Sequence, residues 1–290
     1  VVDPIRINYD SETGISDMGV AVNVMIDETG FTGRRPGYTG LVSGACHSLF
    51  CCGYNCLFIK DGVMYRLNPD YSSTEIAILD GNDTMAYVQV NQDIYYTNGK
   101  NKGIVPKDSD AINWDAQTYV GPDTNKSFDG PRFGSHLAFF SGRIFVSEEN
   151  VVWWSQPFAF GLFDRTRDFA QFESKVLMVR PVENGIFVSD EKRTYFINGK
   201  DPKDFSLEIV AEYPAIEWSE AKETIKSTDI GLENLAIGEC AVWMSKKGVC
   251  IGLPDGKMIN VTRNKIVYPQ MNGIGAGVIR GYNFIHTVGE

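Results

Sequence analysis

Residues 44–67 read GACHSLFCCGYNCLFIKDGVMYRL, and they hold four of the chain's six cysteines and one of its three histidines. The fold turns on whether this stretch is a metal site or a run of strands. A structural zinc site needs two ligand pairs, each spaced by two to four residues, so that a tetrahedron closes between two turns. The second pair is missing, because Cys240 and Cys250 stand ten apart with no histidine nearby, and His136 and His286 are isolated. The stretch therefore reads as strand (HSLFCC), tight turn (GYN), strand (CLFIK), turn (DG) and strand (VMYRL). The cysteines become small buried hydrophobes and His47 a hydrogen-bonded structural residue. The reading predicts neither a metal nor a disulfide here.

The pattern recurs along the chain. TEIAIL extends the first unit to residues 47–79. MAYVQV and DIYYTNG form a second unit near Thr84, and HLAFF, RIFVS and VVWWS a third from Ser135. VLMVRPV, IFVSD, TYFING and FSLEIVA form a fourth from Lys175. LENLAIG, ECAVWMS, VCIGL and KMINV form a fifth from Leu232, and GVIRGYNFIHTV begins a sixth. Meanders of this length cannot bury both faces alone, whereas stacking them around an axis does. The expected fold is thus all-β and β-propeller-like, with about six blades in a single domain spanning 1–290. The incomplete last blade is expected to be closed by the N-terminal GVAVNVMI, whose alternation places Val20, Val22 and Val24 on one face. A β-sandwich built from the same hairpins is the rival.

Two stretches depart from the pattern. Residues 98–133 are polar and turn-rich, and read as a long inserted loop that contacts something. Residues 214–229, PAIEWSEAKETIKSTD, carry a brief helical signal in Ile216, Ala221 and Ile225, consistent with a short helix or an extended link.

Composition agrees with strands and restricts partners. The chain has 290 residues, 43% hydrophobic and 12% aromatic, with 29 glycines, enough for a large core rich in turns. Its 37 acidic and 27 basic side chains give a formal charge of -10, which disfavours tight binding to nucleic acid or an anionic membrane. No apolar run reaches the length of a membrane span, and VVDPIRINYD has no leader-like character, so a soluble, unexported chain is expected. Six cysteines, two of them adjacent at Cys51 and Cys52, fit reduced thiols. The sequons at Asn82, Asn125 and Asn260 then read as chance matches.

Several segments together resemble a known family. They are NVMIDETGFTGRRPGYTGL, HSLF, LFIKDGVMYRL, DIYYTNG, GRIFVSEENVVWWSQPFAFGLFD and NGIFVSDEKRTYFINGKDP, in that order between about residues 20 and 210. The chain is similar to tailed-bacteriophage virion proteins, the tail-nozzle or tail-accessory β-propellers of short-tailed phages. Arg34-Arg35-Pro36-Gly37 and the Gly142 to Ser155 hairpin are the most distinctive pieces. The resemblance implies a non-enzymatic ring, typically a hexamer, below portal and adaptor proteins and around the channel through which DNA is ejected. It also implies a virion location after assembly in the host cytoplasm, and no cofactor. The chain is shorter than the better-known nozzle proteins, which leaves nozzle and neck or other tail components as alternatives.

The residues offer little else by way of chemistry. There is no G-x-S-x-G elbow for a Ser-His-Asp hydrolase and no G-x-x-x-x-G-K-[ST] phosphate loop, and GIGAG near Gly273 does not join a strand to a helix. The carboxylate pairs Glu148-Glu149 and Asp190-Glu191, which a propeller glycosidase could use, fall at hairpin turns and read as solvated acidic turns. SDEKRTYF lacks the later glycine and tryptophan of a sialidase Asp-box. Candidate interface residues are Arg34, Arg35, Arg132, Trp153, Trp154 and Phe160. Alternation buries one of the two tryptophans and turns the other outward, to an inter-blade contact or a partner. The arginines are expected to be free for subunit contacts, while a carbohydrate-binding propeller remains the alternative function.

Overall fold

The structure is a computed structural model that describes residues 9–10, 15–16, 24–26, 32–34, 37, 39–122, 126–221, 224–263, 273–280 and 283–288. Two short antiparallel pairs come first, β1 (Tyr9–Asp10) with β2 (Ile15–Ser16) and β3 (Val24–Ile26) with β4 (Thr32–Arg34). A four-stranded sheet follows in strict sequence order, β5 (Cys46–Cys51), β6 (Cys56–Lys60), β7 (Val63–Leu67) and β8 (Ser73–Ile78). The next comprises β9 (Ala86–Val90), β10 (Asp93–Thr97), β11 (Lys102–Pro106) and β12 (Ile112–Asn113). In the third, β13 (His136–Phe140), β14 (Arg143–Glu148) and β15 (Val151–Gln156) are joined by β16 (Ala159–Phe163) and β17 (Phe169–Gln171), both paired to β15. The fourth is β18 (Val176–Val182), β19 (Gly185–Asp190), β20 (Thr194–Asn198) and β21 (Ser206–Ala211). The fifth is β22 (Ile225–Lys226), β23 (Glu239–Ser245), β24 (Gly248–Gly252) and β25 (Met258–Asn260), and a hairpin, β26 (Gly275–Arg280) with β27 (Asn283–Val288), ends the series.

The chain is thus nearly all-β and built of consecutive meanders of the propeller-blade type, as the sequence predicts. Its described helical segments are two 3-10 turns, Pro202–Asp204 and Ser227–Ile230. No described helix is long and apolar enough to cross a membrane.

Local turn chemistry explains why neighbours in sequence become neighbours in a sheet. Asp61-Gly62 and Ser141-Gly142 each adopt positive φ at both positions (51° and 75°; 48° and 74°). Two such residues in a row turn the chain with the same twist as the flanking strands, so each strand folds back on its predecessor. The registers Lys60↔Val63 and Phe140↔Arg143 leave only those two residues in each loop.

Residues 40–181 with 199–206 form one compact unit, and residues 1–39, 182–198 and 207–290 form the other. In the first, Leu57, Ile59 and Met64 from one sheet share a buried cluster with Tyr87, Ile94 and Val105 from the next. On the opposite face of β10, Trp114 makes edge contacts with Tyr95 at 5.2 Å and Phe163 at 6.4 Å. In the second unit, Phe187 lies against Phe196 at 4.8 Å and against the fully buried Trp243 at 5.3 Å. Gly252 leaves room there, because a Cβ at that position would collide with the Phe187 ring.

Two readings of the sequence are revised, a third is decided between its alternatives, and a fourth falls partly outside the described residues. The stretch 98–133 is not only loop, since β11 and β12 lie inside it and complete the second sheet. Gly103 and Pro106 weaken its strand signal, yet Gly103 is what lets the Tyr96 ring lie against the backbone of β11. Residues 214–221 form an extended link rather than a helix, with the Ile216 and Ala221 amides donating to Met244 and Val242 carbonyls at 2.9 Å each. LENLAIG is a turn segment, and β22 takes the place of the fifth sheet's first strand while Leu232 and Ala236 pack on the core beneath. Lastly, β3 pairs with β4 and β26 with β27, while Val20 and Val22, invoked for closure by the N-terminal strand, lie outside the described residues.

Replacing Trp243 by alanine empties the largest buried volume in its unit. The expected loss is about 3–5 kcal/mol, read as a lower urea midpoint at unchanged slope.

Candidate functional site

The third sheet and the segment before it carry a partly exposed cluster of polar and aromatic side chains. The register Glu148↔Val151 and Val146↔Trp153 puts Glu148 and Trp153 on the same face, because alternate residues share a side. Arg132, arriving from the preceding segment, donates from Nε to Glu148 Oε2 at 2.8 Å and from Nη2 to Oε1 at 2.6 Å. Trp153 Nε1 donates to the same carboxylate at 3.1 Å. The guanidinium carbon sits 5.5 Å from the Trp153 ring centre, and Phe169 of β17 lies 5.2 Å from that ring. Beside them Lys102 Nζ donates to the Pro131 carbonyl at 2.6 Å and stands 4.6 Å over the half-exposed Phe133 ring. Burial pushes the Lys102 ammonium down from its usual range, with Asp115 opposing the shift and Arg132 adding to it.

Arg132, Glu148 and Trp153 form a closed set of contacts. Both oxygens of Glu148 are engaged by Arg132 and Trp153, so the carboxylate anchors the cluster. The expectation that Arg132 is free for subunit contacts is corrected, since a carboxylate of its own chain satisfies it in bidentate fashion. Likewise Glu148 is not simply a solvated turn acid, although Glu149 is exposed as expected.

The second predicted pair is revised more sharply. Asp190 is fully buried, and accepts the backbone amides of Lys192 and Arg193 at 2.8 Å each and the Tyr195 hydroxyl at 3.2 Å. A carboxylate folded back over its own turn caps the β19–β20 hairpin, as aspartate commonly does. Glu191 beside it is exposed.

The predicted interface residues separate into different environments. Trp153 faces outward and Trp154 inward, where it is 4% exposed between Phe145 at 5.7 Å and Phe205 at 5.4 Å. Trp154 is therefore core. Phe160 is half-buried, edge-on to Tyr95 at 5.7 Å and Phe139 at 6.0 Å. Arg34 is exposed, and Arg35 lies outside the described residues. Alternation read from the sequence could have grouped Glu148 with Trp153, but Lys102, Phe133 and Phe169 arrive from distant segments with no local signal.

The cysteine stretch also departs from expectation. Cys51 and Cys56 face each other across the turn and are joined as a disulfide, with Cα atoms 4.0 Å apart. The short turn forces the two positions into register, which adjacency of Cys51 and Cys52 in the sequence conceals. Cys46 is exposed and Cys52 half-buried, so only Cys240 and Cys250 act as buried apolar thiols. His47 is hydrogen-bonded as predicted, through Nδ1 with Ser48 Oγ at 2.8 Å and Nε2 with Asn82 Oδ1 at 3.0 Å.

No family model matches the sequence, and no curated protein matches it. Among solved structures, the Neurospora crassa Pan2 WD40 domain is similar at TM-score 0.47 and 10% identity, covering 81% of this chain and 68% of that one. A streptogramin B lyase matches at TM-score 0.47 and 9% identity, covering 87% and 78%. The extracellular domain of the putative one-component system BT4673 from B. thetaiotaomicron matches at TM-score 0.45 and 11% identity. That match covers 76% of this chain, which spans only 28% of the BT4673 domain.

Two outcomes follow for this surface and these thiols. In a double-mutant cycle, Arg132→Ala and Glu148→Gln should couple by about 1 kcal/mol, the scale of a partly exposed bidentate pair; additive losses would show that the two do not act together. Burial raises the Cys240 thiol to about 11 and the Cys250 thiol in the same direction. Both should therefore stay unlabelled by iodoacetamide at neutral pH while exposed Cys46 reacts, as peptide mass spectrometry would record.

Proposed function

We propose that this chain is a non-enzymatic structural protein of a phage tail, a nozzle or another ring component around the DNA exit channel. The observation that supports it best is the fate of the acidic side chains. Asp190 is spent inside its own hairpin, and Glu148 is spent on Arg132 and Trp153. One carboxylate fixes a hairpin turn and the other a surface cluster, uses within the chain itself that suit a structural ring. The resemblance of residues 20–210 to short-tailed phage tail proteins supports the same reading.

Charge suggests how such a ring would work. DNA carries about one negative charge per 1.7 Å and adheres to any lysine- or arginine-rich surface. A chain of net charge -10, repeated around a channel, repels phosphates and lets the duplex slide. A head-to-tail interface closes into such a ring when its rotation fits.

A second reading, carbohydrate recognition at a host surface, is favoured by one feature. The partly exposed rings of Phe133, Trp153 and Phe169 lie with Lys102 and Arg132 on the third sheet and its flanking segment, a mix of aromatic and polar groups suited to a sugar.

Electron microscopy and mass measurement of the purified chain and of intact particles test the first reading. Rings with no retention of duplex DNA in ~50 mM salt are expected, since attraction is least screened there. A chain that is monomeric within intact virions would rule out the ring, and tight DNA binding would rule out the repelling channel. Specific glycan binding abolished by Trp153→Ala would favour the second reading.

A further inference from the structure

The first sheet carries a site that the proposed function does not use. β5 differs from the other three strands of its sheet in having no buried residue, whereas β6 buries Leu57, Phe58 and Ile59. Its pairing with β6 is broken by an irregularity between His47 and Phe50, where Ser48 adopts φ of 54°. Three polar links hold the strand before the break: His47 to Asn82, His47 to Ser48, and the Met85 amide donating to Ser48 Oγ at 2.8 Å. Beyond the break only Phe50↔Leu57 and Cys51↔Cys56 remain paired.

We infer that Cys51 and Cys56 form a reversible redox-modification site whose co-substrate is a small disulfide of the glutathione class, and that its state decides whether the end of β5 stays paired to β6. Three features on this hairpin support exchange. Cys51 is exposed and Cys56 half-buried, so a soluble disulfide or thiol can reach the pair. The two are only five positions apart, so the bond closes a small loop and removes little chain entropy from the unfolded state. The other two thiols on the hairpin make different contacts. Cys52 packs on the buried cluster beneath, and Cys46 sits opposite Lys60 at the other end of the strand.

The chemistry balances as ordinary thiol–disulfide exchange. One cysteine thiolate attacks glutathione disulfide and expels one glutathione thiolate, leaving a mixed disulfide. The partner thiolate then attacks the protein sulfur of that bond and expels the second glutathione. Two protein S–H bonds are lost and one S–S bond forms, while two electrons and two protons end on two glutathione thiols. Excess glutathione runs the sequence backwards. Since β5 contributes little core, opening its end is a local event and need not unfold the sheet.

The experiment equilibrates the full chain in glutathione buffers of rising oxidised fraction, quenches with acid and alkylating agent, and maps peptides by mass spectrometry. Amide hydrogen exchange is followed on the two end states. Cys51 and Cys56 should pass together from alkylated to bonded, and amides at Phe50–Asn55 should exchange about tenfold faster in the reduced form. Those in β6 and β7 should change little. The double variant Cys51→Ser/Cys56→Ser should exchange like the reduced protein and ignore glutathione, and Cys46→Ser should behave as the parent. The inference fails if the pair keeps one state in every buffer, if Cys52 is the bonded partner, or if β5 exchange is the same in both states. The parent protein's titration decides the matter even if the double variant does not fold.

Discussion

The architecture depends on chain reversal within two residues. A strand that turns through Asp61-Gly62 or Ser141-Gly142 cannot reach any neighbour except the strand before it. Repeating that constraint produces sheets whose strands lie in sequence order, and it excludes crossovers of the parallel kind, which need a dozen or more residues. Each resulting meander has two apolar faces and must pack against another. The shared cluster of Leu57, Met64, Tyr87 and Val105 is the direct consequence.

Turn chemistry also decides what the charged residues do. Buried carboxylates are costly unless hydrogen-bonded, and hairpin ends offer unpaired backbone amides within reach. Asp190 takes two of them, and so becomes part of the fold rather than a reagent. Glu148 sits at a similar strand end but meets Arg132 and Trp153 instead, which makes it the centre of a surface cluster. Two carboxylates at equivalent strand ends thus acquire two roles, set by what the neighbouring segment brings. Residues 126–134 bring Arg132 and Phe133, and β11 brings Lys102.

The cysteine hairpin shows the same dependence at smaller scale. Its strands and turns are plain from the spacing of Phe50, Leu57 and Ile59, yet the pairing of Cys51 with Cys56 follows from a register that the irregularity after His47 shifts. An irregularity of that kind exchanges the faces on which residues emerge. Cys51, beyond the irregularity, therefore emerges exposed beside half-buried Cys56, while Cys240 and Cys250, on regular strands, are buried.

The sequence by itself determined the strands that are short apolar runs bounded by turn signals, among them HLAFF, RIFVS, IFVSD and ECAVWMS, nearly all of whose residues are buried, because run length and flanking turn chemistry are local properties. It determined that one of Trp153 and Trp154 is buried and the other outward, and that His47 is hydrogen-bonded. Tertiary structure alone decided which tryptophan is buried, since that depends on the face the sheet turns to Phe145 and Phe205. It also decided that KGIVP becomes a strand despite its glycine and proline, since pairing with β10 and room for Tyr96 outweigh weak propensity. The cluster of Lys102, Arg132, Phe133, Glu148, Trp153 and Phe169 joins residues up to 67 positions apart. No local pattern encodes such a meeting, because it exists only once separate hairpins have packed.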